Sequence, residues 1–244
     1  MKIRFFILLL AILISALSPL SAQKNYILWN NACAIAEANY TLVPGKTHQV
    51  MLTTDDKSGK ILQSSDLLIT HHLNEEGEIV STLIDKQIDG EDADHPDNDR
   101  MIDVMLQRDL TPNREGLFFT EVGKNLQLRE TNHLRDFNGF NCVEYEMIFI
   151  ATDEDDKEIK FNGSVWLEEN SGAPIYNIFR MDKTPRFVKE LIIERWYHFE
   201  PETNEWYLQE MVTTAEVRFL LKRLTNKTTM TYSDYWRYEP ETID

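Results

Sequence analysis

Alternation between apolar and polar residues, broken by short polar turns, extends from Thr47 almost to the end of this 244-residue chain. Successive side chains of an extended strand point to opposite faces, so a period of two predicts strands with one buried face. The clearest segment follows Cys142, where apolar residues occupy every second position: Val143, Tyr145, Met147 and Phe149. A chain with this pattern is expected to be mainly β.

The alternating segments and their turns predict nine strands. These cover residues 47–54, 61–73, 79–88, 142–149, 159–167, 175–181, 187–199, 206–221 and 228–238. Consecutive strands joined by short turns form one large antiparallel sheet. Because several strands are long and strands twist, we expect this sheet to curve into an unclosed barrel.

Helical signals lie outside the two strand-rich regions. One amphipathic helix is predicted over 99–108, with apolar residues at helical spacing: Met101, Ile102, Met105 and Leu106. Asp97 or Asp99 can cap its first turn, and Pro112 follows its end. The alanine-rich segment 32–38 suggests a second helix before the first strand. One or two helices are therefore expected at the concave face of the sheet.

The first 22 residues have the features of a cleavable export signal. Lys2 and Arg4 precede an apolar run over 5–17, and the small residues of 20–22 form a cleavage site before Gln23. The apolar run is shorter than the ~20 residues that cross a bilayer, although an uncleaved anchor is the alternative interpretation. We expect a periplasmic protein without stable membrane insertion, with residues 23–244 forming a single domain.

The charge of the chain excludes one class of partner. The formal net charge is −16, and loss of Lys2 and Arg4 would make it −18 (−16 − 2). Nucleic-acid binding depends on basic side chains that neutralise phosphates, so neither DNA nor RNA is an expected partner.

Motifs for metal binding or catalysis are not found in the sequence. His71 and His72 are adjacent on a predicted strand, so their side chains point to opposite faces. Ser164 follows a glycine but lies within a strand pattern, without the turn that exposes a nucleophile. The sequence therefore predicts a non-enzyme with no metal site and no cofactor.

Aromatic and methionine residues are abundant on the later strands. A curved sheet with few helices has more concave apolar surface than those helices can cover, which would leave a ligand cavity. An ordinary packed core is the alternative explanation. The candidate cavity residues are Met101, Ile102, Met105, Tyr145, Met147, Phe149, Phe161, Phe179, Trp196, Tyr232 and Trp236.

Cys33 and Cys142 are the two cysteines of the chain. In an oxidising compartment they could form one disulfide between the first helix and the second group of strands. Small buried thiols also persist in exported proteins, so both states are open at this point.

Four segments carry a resemblance to a known family: FNGFNCVEYEM from Phe137, FNGSVWLEENSGAPIYNIF from Phe161, TPRFVKELIIERWY from Thr184 and YSDYW from Tyr232. They resemble the outer-membrane lipoprotein-sorting and lipoprotein-carrier superfamily, which includes LolA, LolB and RseB-like proteins. The matching positions are Gly139, Gly163 with Trp166, Gly172 with Pro174, and Pro185 with Lys189.

The resemblance implies an unclosed β-barrel with helices at its mouth and a cavity for acyl chains. The carriers lock a helical lid with an arginine on an early strand, and segment 47–54 contains none. Binding of an apolar ligand is therefore a firmer expectation than gated hand-over of a lipoprotein.

Two functions are expected. The first is a periplasmic, non-enzymatic carrier or binding protein for a lipid or lipoprotein acyl chain. The second is a cell-envelope module with a fully packed core that binds other envelope proteins.

Overall fold

The computed structural model describes residues 27–90, 102–103, 106, 117–118, 126–152, 158–184, 187–219 and 222–239. The predicted signal peptide over 1–22 lies outside these residues, as do Met101 and Met105. Helix α1 spans residues 27–38. Twelve strands follow it among the described residues: β1 (Leu42–Val43), β2 (Lys46–Asp55), β3 (Ile61–Leu73), β4 (Ile79–Gly90), β5 (Gln127–Phe137), β6 (Phe140–Thr152), β7 (Glu158–Glu168), β8 (Pro174–Met181), β9 (Val188–Glu200), β10 (Glu205–Phe219), β11 (Lys222–Ser233) and β12 (Trp236–Arg237).

Ten of the strands form one antiparallel sheet in the order β4-β3-β2-β11-β10-β9-β8-β7-β6-β5. Neighbours are consecutive in the chain except for β2 and β11, which join its two halves. Strands β4 and β5 are the two edges, so the sheet is an unclosed half-barrel. The predicted mainly β fold with one large open antiparallel sheet is confirmed.

The two shortest strands pair with each other. In this small sheet β1 and β12 bring Val43 opposite Trp236. Asp234 precedes β12 with a positive φ of 56°, which ends β11 and redirects the chain. The predicted strand 228–238 is therefore two strands in the structure.

Strand β5 is missing from the sequence prediction. It lies at an edge of the sheet, and most of its side chains are exposed on both faces. An edge strand of this kind has no buried face, so alternation does not reveal it.

The hairpin between β10 and β11 also differs from the prediction, which placed a turn between 221 and 228. The two strands pair continuously from Glu210 with Thr231 to Phe219 with Lys222. The polar segment 222–227 therefore belongs to β11, because threonine and other polar residues fit a half-exposed strand as well as a turn.

Helix α1 covers one face of the sheet, which we call the inner face. Its buried side chains recur at helical spacing: Leu28, Ala32, Ile35 and Ala36. The helix predicted over 32–38 thus begins earlier in the chain. Ile102, Asp103 and Leu106 also have helical backbone, in agreement with the helix predicted over 99–108 at these three positions.

Candidate ligand site on the inner face

The inner face can be followed across eight strands because cross-strand partners point to the same side. One row of partners runs through the middle of the sheet: Tyr145, Val165, Asn177, Arg195, Met211, Met230, Gln49 and Leu67. Residues two positions along a strand belong to the same face wherever the pairing has no register shift; β10 has such a shift between Leu208 and Glu210.

One end of the inner face is filled by α1 and by Phe118. The Phe118 ring is 1% exposed and lies 5.3 Å from Trp29 of α1 and 5.8 Å from Trp206 of β10, measured between ring centroids. Trp206 is stacked on Tyr197 at 4.7 Å, and its Nε1 donates to the carbonyl of Pro174 at 2.8 Å. This end is a packed core.

Three phenylalanines continue the apolar surface away from the packed end. Phe149 of β6 and Phe161 of β7 stack with centroids 4.7 Å apart, and Phe149 meets Phe179 of β8 edge to face at 5.3 Å. Phe179 is buried, whereas Phe149 and Phe161 are half-buried. We call these three residues the aromatic row.

Gly163 allows Phe179 of the aromatic row to pack directly against β7. It pairs with Met147 on one side and Phe179 on the other. A Cβ at this position would lie 2.8 Å from Cδ1 of Phe179 and 2.0 Å from the carbonyl oxygen of Ile178. The Phe179 ring can therefore lie against the strand only because residue 163 has no side chain.

The structure brings most of the predicted cavity residues to the inner face. Tyr145, Met147, Phe179 and Tyr232 are buried on this face, and Ile102, outside the sheet, is also buried. Phe149 and Phe161 are half-buried there, and half-buried Trp236 lies in the small sheet beside Tyr238, at 6.4 Å. Met101 and Met105 lie outside the described residues.

Among the predicted cavity residues of the ten-stranded sheet, Trp196 is the exception, because its side chain is on the opposite, outer face. It contacts Tyr176 at 4.3 Å and Phe137 at 5.8 Å between centroids. Trp166 joins the same cluster at 5.3 Å from Phe137. Trp196 and Tyr197 are adjacent, so only one of them can face inwards, and two neighbouring aromatic residues gave no indication of which.

Arg195 is an inner-face residue that sequence reasoning missed. Its Cζ lies 5.9 Å from the centroid of the Phe179 ring, within cation–π range. Burial raises the pKa of Tyr197, and the positive charge of Arg195 opposes that effect. The sequence contained this information in segment 187–199. Arg195 lies two residues from both Ile193 and Tyr197, so the three side chains point to the same face of the strand.

Polar atoms line the other half of the inner face, on β11, β2 and β3. Gln49 is 2% exposed and Ser65 is 1% exposed, yet Gln49 Oε1 and Ser65 Oγ lack a hydrogen-bond partner among the described residues. Asn226 Oδ1 is also without one there. On β8, in the first half of the sheet, Oδ1 of the fully buried Asn177 likewise lacks a partner among the described residues. Buried polar atoms normally have partners, so these four groups mark places where a further polar group is expected.

An open cavity lies between α1, the edge strand β5 and the turn that joins β7 to β8. Its volume is about 450 Å³, with Leu28 and Val143 in its apolar wall. Leu134, at its rim, is 68% exposed. The rim also carries Glu130, whose carboxylate accepts a hydrogen bond from the Tyr145 hydroxyl at 3.1 Å.

A serine, a glutamate and a histidine meet on the outer face but do not form a catalytic triad. Ser164 Oγ donates to Glu144 at 2.7 Å, and His133 contacts the other oxygen of Glu144 at 2.8 Å. The carboxylate lies between the other two, whereas activation of serine requires the histidine in that position. Burial raises the pKa of Glu144, but hydrogen bonds from Ser164, His133 and Thr131 outweigh it and lower the pKa.

The two cysteines are free thiols, which corrects the alternative of a disulfide. Cys142 is next to Val143, whose side chain lies on the inner face with α1, so the Cys142 thiol lies on the outer side. Cys33 belongs to α1 and is half-buried. Burial raises the pKa of Cys33 to about 11 and that of Cys142 to about 12, so both remain protonated at neutral pH.

Among the described residues, no three His, Cys, Asp or Glu side chains are grouped as metal ligands. Within the same part of the chain, no helix has the length and apolar character needed to span a membrane.

No family model matches the chain, and no curated protein matches it in sequence. Solved structures show distant likeness. A lipovitellin structure concerned with lipid–protein interactions is 8% identical with a TM-score of 0.32, covering 82% of this chain and 26% of that chain. The MucA/MucB complex of Pseudomonas aeruginosa is 9% identical with a TM-score of 0.24, covering 84% and 93%. TM-scores this low assign neither a family nor a function.

Proposed function

We propose that this protein is an exported, non-enzymatic carrier or binding protein that holds a lipid or lipoprotein acyl chain on the inner face of its sheet. The aromatic row is the observation that carries the proposal. It continues the packed core beyond α1, and two of its three rings, Phe149 and Phe161, remain half-buried. A ligand that covers this partly exposed apolar surface removes it from water, which lowers the free energy of the system and so favours binding.

An acyl chain suits this surface for a physical reason. Its binding needs contact area rather than a reactive group, because each buried CH₂ contributes about 0.8 kcal/mol. The two unpaired edges of the sheet, β4 and β5, support entry of such a chain from solvent. The predicted export signal and the resemblance to lipoprotein carriers support the same function and a periplasmic location.

Replacing Phe161 by Ser tests the proposal. A fluorescent fatty acid should bind the wild-type protein saturably. Phe161→Ser should weaken binding by roughly 10- to 150-fold, since loss of one buried aromatic contact costs roughly 1.5–3 kcal/mol. The measurement is a fluorescence titration. Lipid extraction and mass spectrometry of protein from its native envelope should in addition identify an acyl lipid.

Ile148→Ser is the matched control. Ile148 is half-buried on β6 beside Phe149, but its side chain lies on the outer face, opposite Asn162. It should not affect fatty-acid binding. Equal losses in the two variants, or absence of saturable binding to the wild-type protein, would refute an inner-face ligand site.

The packed end of the inner face favours a second candidate, an envelope module that binds other proteins. Phe118 and α1 fill this end as a protein core would be filled. With a net charge of −16 the chain would bind a basic partner, and association would weaken as salt shortens the Debye length to ~3 Å at 1 M. Pull-downs from envelope extract at low and high salt, together with the fatty-acid titration, separate the two functions.

A further inference from the structure

Arg195 is a charged residue surrounded by uncharged neighbours on the inner face. Asn177 and Met211 flank it on the two adjacent strands, and Ile193 and Tyr197 flank it along its own strand. None of these residues is acidic. Arg195 is half-buried, so its guanidinium is partly removed from water.

Within the described residues, the Arg195 guanidinium has no carboxylate partner. Its contacts there are the Phe179 ring and the nearby Tyr197 hydroxyl. Arg180 on the outer face of the neighbouring strand, in contrast, forms an ion pair with Glu190 at 3.1 Å. The chain has 41 acidic and 25 basic residues, so a lack of acids does not explain the difference.

We propose that Arg195 binds the anionic group, a carboxylate or a phosphate, of an amphiphilic ligand whose acyl chain lies along the aromatic row. This inference rests on the proposed function. A guanidinium presents several donors in a plane that matches both anions, and such bonds are strong where water is partly excluded.

The arrangement connects the charge to the apolar surface without a gap. The Arg195 guanidinium lies 5.9 Å from the Phe179 ring, Phe179 meets Phe149 at 5.3 Å, and Phe149 meets Phe161 at 4.7 Å. An acyl chain starting at Arg195 therefore runs from the middle of the sheet towards the end that α1 leaves uncovered. Asn177, the cross-strand partner of Arg195, has the unpartnered buried oxygen expected beside a polar ligand group.

The test compares three probes of equal chain length: dodecanoate, dodecyl phosphate and uncharged dodecanol. Calorimetric titration of the full chain should show that the two anions bind at least ~10-fold more tightly than the alcohol, as expected for charge-assisted hydrogen bonds. In Arg195→Met, which keeps an unbranched side chain without its charge, the three affinities should become equal. Inorganic phosphate and acetate should not bind detectably if the chain is needed.

Arg180→Met is the control, since Arg180 is an exposed arginine on the neighbouring strand that faces outwards and has an acidic partner. It should leave the preference for anions intact. A wild-type protein that binds all three probes equally, or an Arg195→Met variant that weakens all three to the same extent, would overturn the role of Arg195 while preserving the proposed function. Failure of all three probes to bind the wild-type protein would contradict both the role of Arg195 and the proposed function.

Discussion

At the scale of single residues, Gly163 determines how closely β7 and β8 pack around the aromatic row. A Cβ there would overlap the Ile178 carbonyl oxygen, which belongs to the backbone and cannot rotate away. We expect Gly163→Ala to destabilise the protein by roughly 1–3 kcal/mol, the usual effect of overpacking. Chemical denaturation measures it.

Asn162→Ala provides the comparison for Gly163→Ala. Asn162 is the preceding residue on β7 and points to the outer face. Its replacement should change the free energy of unfolding by no more than about 0.5 kcal/mol. If Gly163→Ala is equally mild, the aromatic row does not depend on the close approach of Phe179.

At the scale of secondary-structure elements, α1 stabilises the packed end through one stripe of small and apolar residues. Ala32 is completely buried, whereas Ala34 on the opposite side of α1 is exposed. Ala32→Asp would bury an unpaired carboxylate and should cost at least ~2 kcal/mol, seen as a lower melting temperature. Ala34→Asp introduces the same residue in the same helix and should have little effect. Similar losses in both variants would mean that α1 does not pack on the sheet through Ala32.

At the scale of the whole molecule, His71 makes the stability of the sheet depend on pH. The buried imidazole links three strands, with Thr47 of β2 at 2.8 Å and Ser81 of β4 at 3.3 Å. Burial, followed by the nearby His72, lowers its pKa from 6.5 to about 4. The unfolded chain therefore takes up this proton at higher pH than the folded protein.

Stability should consequently fall as the pH decreases from about 6.5 to about 4 and should lose no more from this group below that. Unfolding free energies measured by denaturation between pH 7 and pH 4 test this. His71→Gln keeps hydrogen-bonding capacity without the titration, so its stability should vary less over this interval. An identical pH dependence in both proteins would show that His71 is not responsible.

The sequence by itself determined the mainly β fold, the open antiparallel sheet and most of the strands, because half-buried strands carry their burial pattern in alternate residues. It also indicated most of the apolar inner face, including Phe149, Phe161 and Phe179. It did not reveal edge strand β5, whose two exposed faces have no such pattern, or the outward direction of Trp196, which is adjacent to an equally aromatic Tyr197. Three features were decided by the tertiary structure alone. These are the pairing of β2 with β11, the free state of Cys33 and Cys142, and the position of Arg195 beside Phe179. Each depends on contacts between residues far apart in the chain, and the spacing of residues along one strand holds no information about which side chain it meets across the sheet.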